Sequence, residues 1–260
     1  MKLCIAVPGG VLPALDPRFE AARIMYRIRG SRLYCARRGA NARGGIMVIN
    51  ASGYTGGGPV SALLEEIGVT VAVREFDGVV LDTGELDARR RALPLQAALA
   101  SGLVSDISPR PVFVREALGK SVPGAQVLIQ TALSAGSLSR HLSDAAERFG
   151  ISRLALECDR IHMDFPLPCP DGAGVELDRS RFSELRERAS RVFFSDALCV
   201  NYFFRAEKTS SREDSSSRMV LFDDAESMRR KLELAKCLGI ERAFLYYPHV
   251  SDILPQLLPD

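Results

Sequence analysis

The chain has 260 residues, 47% of them hydrophobic and 25% charged, with 34 basic against 32 acidic side chains for a formal net charge of +2. That composition supports a sizeable core and excludes wholesale disorder, and the near balance of charge gives no general drive towards nucleic acid, whose phosphates reward concentrated positive charge. The length fits two small domains or one barrel of parallel strands and helices, which needs about 250 residues.

Six cysteines lie scattered with no CxxC pair, and only three histidines are present. A structural zinc site or a disulfide framework is therefore not expected, and neither a metal nor a cofactor is assigned. The opening MKLCIAVPGGVLPAL carries one lysine and a short apolar run broken by Pro8, Gly9 and Gly10. It is too short for a membrane span or a typical signal-peptide core and reads as a first strand. With free cysteines and no export signal, the expectation is a cytoplasmic chain without a membrane partner.

Apolar runs of strand length recur along the sequence: Leu3 to Val7, Arg32 to Ala36, Gly45 to Asn50, Asp77 to Asp82, Gln126 to Ala132, Arg153 to Asp164, Ala197 to Phe204 and Ala243 to Tyr247. Helical patterns separate many of them. Val60 to Ile67 follows a Gly-Pro break, Pro111 to Gly119 closes on glycine, and Ser137 to Phe149 opens on a serine cap. Ala225 to Leu238 places Met228, Leu232, Ala235 and Leu238 on one face, with Asp223 or Asp224 at its start and Gly239 at its end. Strands alternating with helices imply parallel crossovers, and no GxGxxG turn follows the first strand. The expected fold is an α/β (β/α)8 TIM barrel forming one domain over residues 1–260, with irregular loops near 169–178 and 208–218.

In such a barrel reactive side chains sit at the C-terminal ends of the strands. The fourth run, FDGVVLDTGE, brings Asp82 and Glu85 to that position, while Asp77 opens the strand where a carboxylate commonly bonds to backbone. The run resembles the DGxDxDxE strand of glycoside hydrolase family 18, the chitinase-like barrels that cleave N-acetylglucosamine polymers. Asp77, Gly78 and Asp82 match, Val80 replaces the middle aspartate, and Gly84 stands where the family has its catalytic glutamate. A second segment, LFDDAESMRRKLELAKCLGIERAFLYYP from Leu221 to Pro248, is similar to the family's YDD-x-x-S-x-x-x-K pattern, through its paired aspartates, Ser227 and Lys231.

The resemblance implies substrate-assisted hydrolysis, in which the glutamate protonates the leaving oxygen and the preceding aspartate steadies the substrate's acetamido group. That chemistry needs a carboxylic acid kept protonated beside an ionised neighbour. Gly84 supplies no acid, and Glu85 is one residue late, facing away unless the chain has already bent. The candidates for catalysis are therefore Asp82, Glu85 and Asp77. Candidates for lining a cleft are Asn50 and Tyr54 beside the glycine-rich stretch 53–58, Glu157, His162 and Asp164, Asn201 and Tyr202, and Tyr246. His162 and Asp164 lie in RIHMDFP, which resembles the family's Met-x-Tyr-Asp strand. There is no tryptophan for sugar stacking. Three functions stay open: a divergent glycoside hydrolase, a barrel that binds glycan or protein without hydrolysis, or an unrelated barrel enzyme for an acidic small molecule. The partner expected is a glycan or small-molecule ligand, and the sequence does not set an oligomeric state.

Overall fold

The computed structural model describes residues 1–9, 14–36, 42–84, 93–170, 172–208 and 215–258. Its first elements are β1 (Lys2–Pro8), β2 (Glu20–Gly30), β3 (Arg32–Cys35), β4 (Ile46–Tyr54), α1 (Val60–Val73), β5 (Gly78–Asp82) and α2 (Leu93–Asp106). They are followed by β6 (Val112–Arg115), β7 (Gln126–Gln130), α3 (Leu138–Phe149) and β8 (Leu154–Cys158). An excursion then runs through β9 (His162–Leu167), β10 (Val175–Glu176), α4 (Arg179–Glu187), β11 (Phe193–Ser195), β12 (Val200–Lys208) and β13 (Ser215–Phe222). The chain returns by α5 (Ala225–Cys237) to β14 (Arg242–Tyr246) and ends in α6 (Tyr247–Val250) and a 3-10 turn.

Eight of these strands close a parallel barrel in the order β1, β2, β4, β5, β6, β7, β8, β14, and β14 pairs back onto β1. Alternation along each strand sorts the side chains. Cys4, Ala22, Ile46, Val48, Val80, Phe113, Leu128, Ala155 and Phe244 fill the interior, where Phe113 and Phe244 meet edge to face at 5.0 Å. The outward residues pack under the helices in two clusters, one around α1 and α2 and the other around α3 and α5.

The strand count agrees with the sequence reading, but the membership differs. The second barrel strand is Glu20–Gly30, and Arg32–Cys35 is its antiparallel hairpin partner on the outside. The segment read as a helix, Pro111 to Gly119, is the fifth barrel strand, Val112–Arg115, with a 3-10 turn after it. A continuous apolar run such as Val112-Phe113-Val114 carries no period that separates strand from helix. The single run Arg153 to Asp164 is two strands, β8 in the barrel and β9 outside it.

Ala197 to Phe204 does not join the barrel either. Its strand, β12, belongs to a five-stranded antiparallel sheet, β10-β9-β13-β12-β11, inserted between the seventh and eighth barrel strands. One face of that sheet, with Phe203, Val220 and Phe222, is covered by Phe182 and Leu185 of α4. The other face, with Phe165, Val200 and Leu221, reaches Ala132 just beyond barrel strand β7. The two segments expected to be irregular fall largely here. Val175–Glu176 is a short strand, Ser215 onwards is β13, and residues 209–214 lie outside the described residues.

The Asp223 to Lys231 stretch shows why its pattern has the spacing it has. Asp224 caps α5 by accepting from the Ser227 backbone, while the Ser227 hydroxyl accepts from the Asp224 backbone in a capping box. One turn further, Lys231 Nζ meets Asp223 Oδ2 at 2.7 Å, both side chains being wholly buried. Asp223 also accepts from Ser227 Oγ at 2.8 Å and from the Ile161 backbone N–H at 3.0 Å. Residues at i, i+4 and i+8 share a helical face, so one carboxylate ties the start of α5 to the exit from β8.

Candidate functional site at the barrel mouth

At the C-terminal end of the barrel lies a pocket of about 280 Å³, at the small end for a ligand site. Its floor is apolar, made by Ile24, Val48, Val80, Leu128 and Phe244, and its rim carries Asp82, Arg115, Glu157, Asp159 and Tyr246. Three of these rim residues follow from strand alternation, because Asp82, Arg115 and Glu157 end or nearly end β5, β6 and β8. Arg115 bridges two of the carboxylates, its Nε 3.0 Å from Asp82 Oδ1 and its Nη2 3.3 Å from Glu157 Oε1. The Gly84 backbone N–H also donates to Asp82 Oδ1, at 3.0 Å.

Burial pushes the Glu157 carboxyl up, against the pull of Arg115, and neighbouring Asp159 and Asp82 add to the rise. Burial likewise pushes Asp159 up, opposed by His249 and Arg115. Burial works to lower the Arg115 guanidinium, but Glu157 and Asp82 outweigh it and hold it up. The mouth therefore combines a fixed cation with carboxyl groups that take up a proton more readily than free ones, the setting in which a carboxylic acid can donate a hydrogen bond. Among the described residues no group of three or more His, Cys, Asp or Glu is placed to hold a metal ion.

Of the expected site residues, Asp82, Glu157 and Tyr246 converge on this pocket. Asn50 is level with Asp82 on the adjoining strand and is exposed, its Oδ1 accepting from the backbone and hydroxyl of Ser52. Asp77 sits at the opposite end of β5. Its N–H donates to the Gly45 carbonyl at 2.8 Å and its Oδ2 accepts from the Gly45 N–H at 3.1 Å, locking the start of the strand. Tyr54 is buried under α1 and α2. Glu85 lies outside the described residues, whereas Gly84 is described, with φ +66.

The remaining candidates are in the inserted sheet. His162 stacks on Phe182 at 4.3 Å, and burial pushes its imidazole down to about 4. Asp164 is buried, and its Oδ2 accepts from Arg205 and Arg218. Tyr202 stacks on Phe193 at 5.3 Å, with Asn201 beside it on β12. RIHMDFP is thus a strand of the insertion rather than of the barrel. Sequence reasoning missed Arg115, because its strand looked helical. An arginine directly after a three-residue apolar run was the available signal.

No protein-family model and no curated protein sequence matches the chain. Solved structures do. The spore cortex-lytic enzyme SleL of Bacillus megaterium QM B1551 is 14% identical with a TM-score of 0.63, over 98% of this chain and 72% of that one. A chitinase from Chromobacterium violaceum ATCC 12472 is 13% identical with a TM-score of 0.63, over 98% and 99%. A family 18 chitinase from Cycas revoluta in complex with (GlcNAc)3 is 12% identical with a TM-score of 0.65, over 99% and 97%. The chain has the barrel fold of these chitinase-like glycoside hydrolases. Among the described residues no helix is long and apolar enough to cross a membrane.

Proposed function

We propose that the barrel mouth binds an N-acetylglucosamine-containing glycan without hydrolysing it. The observation that carries this reading is the chemistry around Asp82. The carboxylate matching the family's supporting aspartate is held by Arg115 and by the Gly84 N–H, and the acid's own position is a glycine. A mouth that keeps the supporting carboxylate but has glycine two residues later retains polar anchors and lacks the family's proton donor at its usual position. Asp82, Glu157, Tyr246 and Asn50 are the residues assigned to hold the sugar. Likeness of fold to a chitinase solved with (GlcNAc)3 supports the choice of glycan.

The test is titration calorimetry with chitotetraose alongside product analysis by mass spectrometry. Binding that is lost in Asp82→Ala, with no product after prolonged incubation, is the expected result. No heat of binding and no product would sink the glycan reading.

One observation favours hydrolysis as a second reading. Glu157 is a buried carboxyl with a raised proton affinity in the same pocket as Asp82, a disposition suited to a displaced general acid. Product release by the native chain, abolished in Glu157→Gln, would establish it.

A further inference from the structure

Between residues 21 and 64 the sequence holds seven arginines and no aspartate or glutamate, although the whole chain is nearly neutral. This stretch builds the β2–β3 hairpin and β4. On the hairpin, Tyr26, Ile28 and Leu33 turn into the core, and the alternating residues Arg27, Arg29, Arg32 and Tyr34 are exposed. Arg29 is paired directly across the ladder from Arg32, and Arg27 from Tyr34.

Like charges opposite one another weaken a hairpin, and the one acid bonded to it, Glu66, has its Oε2 on the Leu33 backbone N–H at 3.1 Å rather than on a guanidinium. Among the described residues, Arg27, Arg29 and Arg32 form no ion pair; exposed arginines such as Arg110 and Arg188 form none either, but these three are gathered on one hairpin. Three unneutralised guanidinium groups on one short face are a standing electrostatic cost, which an anionic ligand would remove.

The register places this face beside the candidate site. Arg27 lies level with Asn50 on β4, and Asn50 lies level with Asp82 on β5, so three adjacent strands carry one row from the hairpin to the mouth. Arg29, level with Gly53, continues the same edge outwards. Guanidinium groups recognise carboxylates through paired donors, and Tyr34, 47% exposed, offers a ring face for a sugar.

We propose that the Arg27, Arg29, Arg32 and Tyr34 face binds the acidic groups of the same polymer whose amino sugar occupies the mouth, so that the ligand is a carboxylate-bearing amino-sugar chain. This rests on the reading of the mouth as an amino-sugar site. A nucleic acid is the less suitable polyanion, because the row leads from the arginines to the carboxyl groups of Asp82, Glu157 and Asp159, which repel a phosphate backbone.

The experiment titrates the full chain and an Arg29→Gln/Arg32→Gln double variant with three probes. They are a hyaluronan hexasaccharide, which alternates N-acetylglucosamine with a uronate, neutral chitohexaose, and a short oligothymidylate. The native chain is expected to prefer hyaluronan over chitohexaose by roughly fivefold, as two exposed ion pairs allow. The preference should vanish in the double variant and at about 1 M salt, where screening acts within about 3 Å, with chitohexaose affinity unchanged. Equal affinity for the two glycans in the native chain, or a preference that survives in the double variant, overturns the inference and leaves the mouth reading standing. Failure of chitohexaose to bind overturns the mouth reading and this inference with it. Oligothymidylate binding tighter than hyaluronan, and lost in the double variant, overturns the inference by assigning the face to nucleic acid.

Discussion

Replacing Lys231 by methionine tests the load carried by the segment between the inserted sheet and the last barrel strand. Lys231 Nζ lies 2.7 Å from Asp223 Oδ2 with neither side chain exposed, so the substitution keeps much of the apolar stem and leaves a buried carboxylate without its cation. Removing one partner of a buried pair costs about 3–5 kcal/mol. Asp223 keeps two donors, Ser227 Oγ and the Ile161 N–H, which places the expected loss near the lower end, about 3 kcal/mol. For a chain of this size each kcal/mol moves the melting temperature by about 2–4 °C, so scanning calorimetry should record a fall of about 6–12 °C. Adding Asp223→Asn should restore most of it, because a neutral amide still accepts from Ile161 and no longer needs a cation. A single-variant loss below about 1 kcal/mol, or a double variant as unstable as the two single losses summed, would refute the argument that an unpaired buried charge sets the cost.

The raised Glu157 carboxyl favours the protonated form in the folded chain, so ionising it costs stability as pH rises above the ordinary glutamate value near 4.5. The melting temperature of Glu157→Gln relative to the native chain should therefore increase between pH 4 and pH 8, and a constant difference would contradict the shift. His162 has the opposite sign. Its folded value of about 4 lies below the ordinary 6.5, so the stability it contributes is complete above 6.5 and is lost as pH falls towards about 4. His162→Phe, which preserves stacking on Phe182, should flatten the urea midpoint across that window. Gly45→Ala places a Cβ 2.2 Å from the Ala21 carbonyl oxygen at φ +75 and should cost about 3 kcal/mol by urea unfolding. Among the described residues a Cβ on Gly84 meets only Ser52 Cβ, at 3.6 Å and a similar φ, so Gly84→Ala should cost about 1 kcal/mol while folding normally, as circular dichroism and urea melts would show.

The fourth barrel strand and the last crossover were legible because their signals are local. Asp82 ends a run of Val79, Val80 and Leu81, and the cap, face and stop of α5 all lie between Asp224 and Gly239. β2 was also legible in principle: Tyr26, Arg27, Ile28 and Arg29 alternate as a half-buried strand must, but the arginines obscured the run when strands were sought by apolar content. The inserted sheet was not legible. Phe203 and Val220 look like barrel residues whether α4 or a barrel helix covers them, and which strand a run pairs with depends on contacts far away in sequence. For the same reason the rim was only half found. Asp82 and Glu157 announce themselves as acids after apolar strands, while Arg115 acquires its role only when β6 lies between β5 and β7.

The pairing of β14 with both β1 and β8 also governs the order in which the molecule can be assembled. Without β14 the other seven barrel strands would leave β1 and β8 each with an unpaired edge, the kind of edge that recruits stray strands. Closure requires Arg242–Tyr246 and joins residues that lie far apart in the chain. Such a long-range step makes folding slow relative to local helix formation. The pocket at the mouth, which needs Phe244 and Tyr246, comes into being only with that final strand.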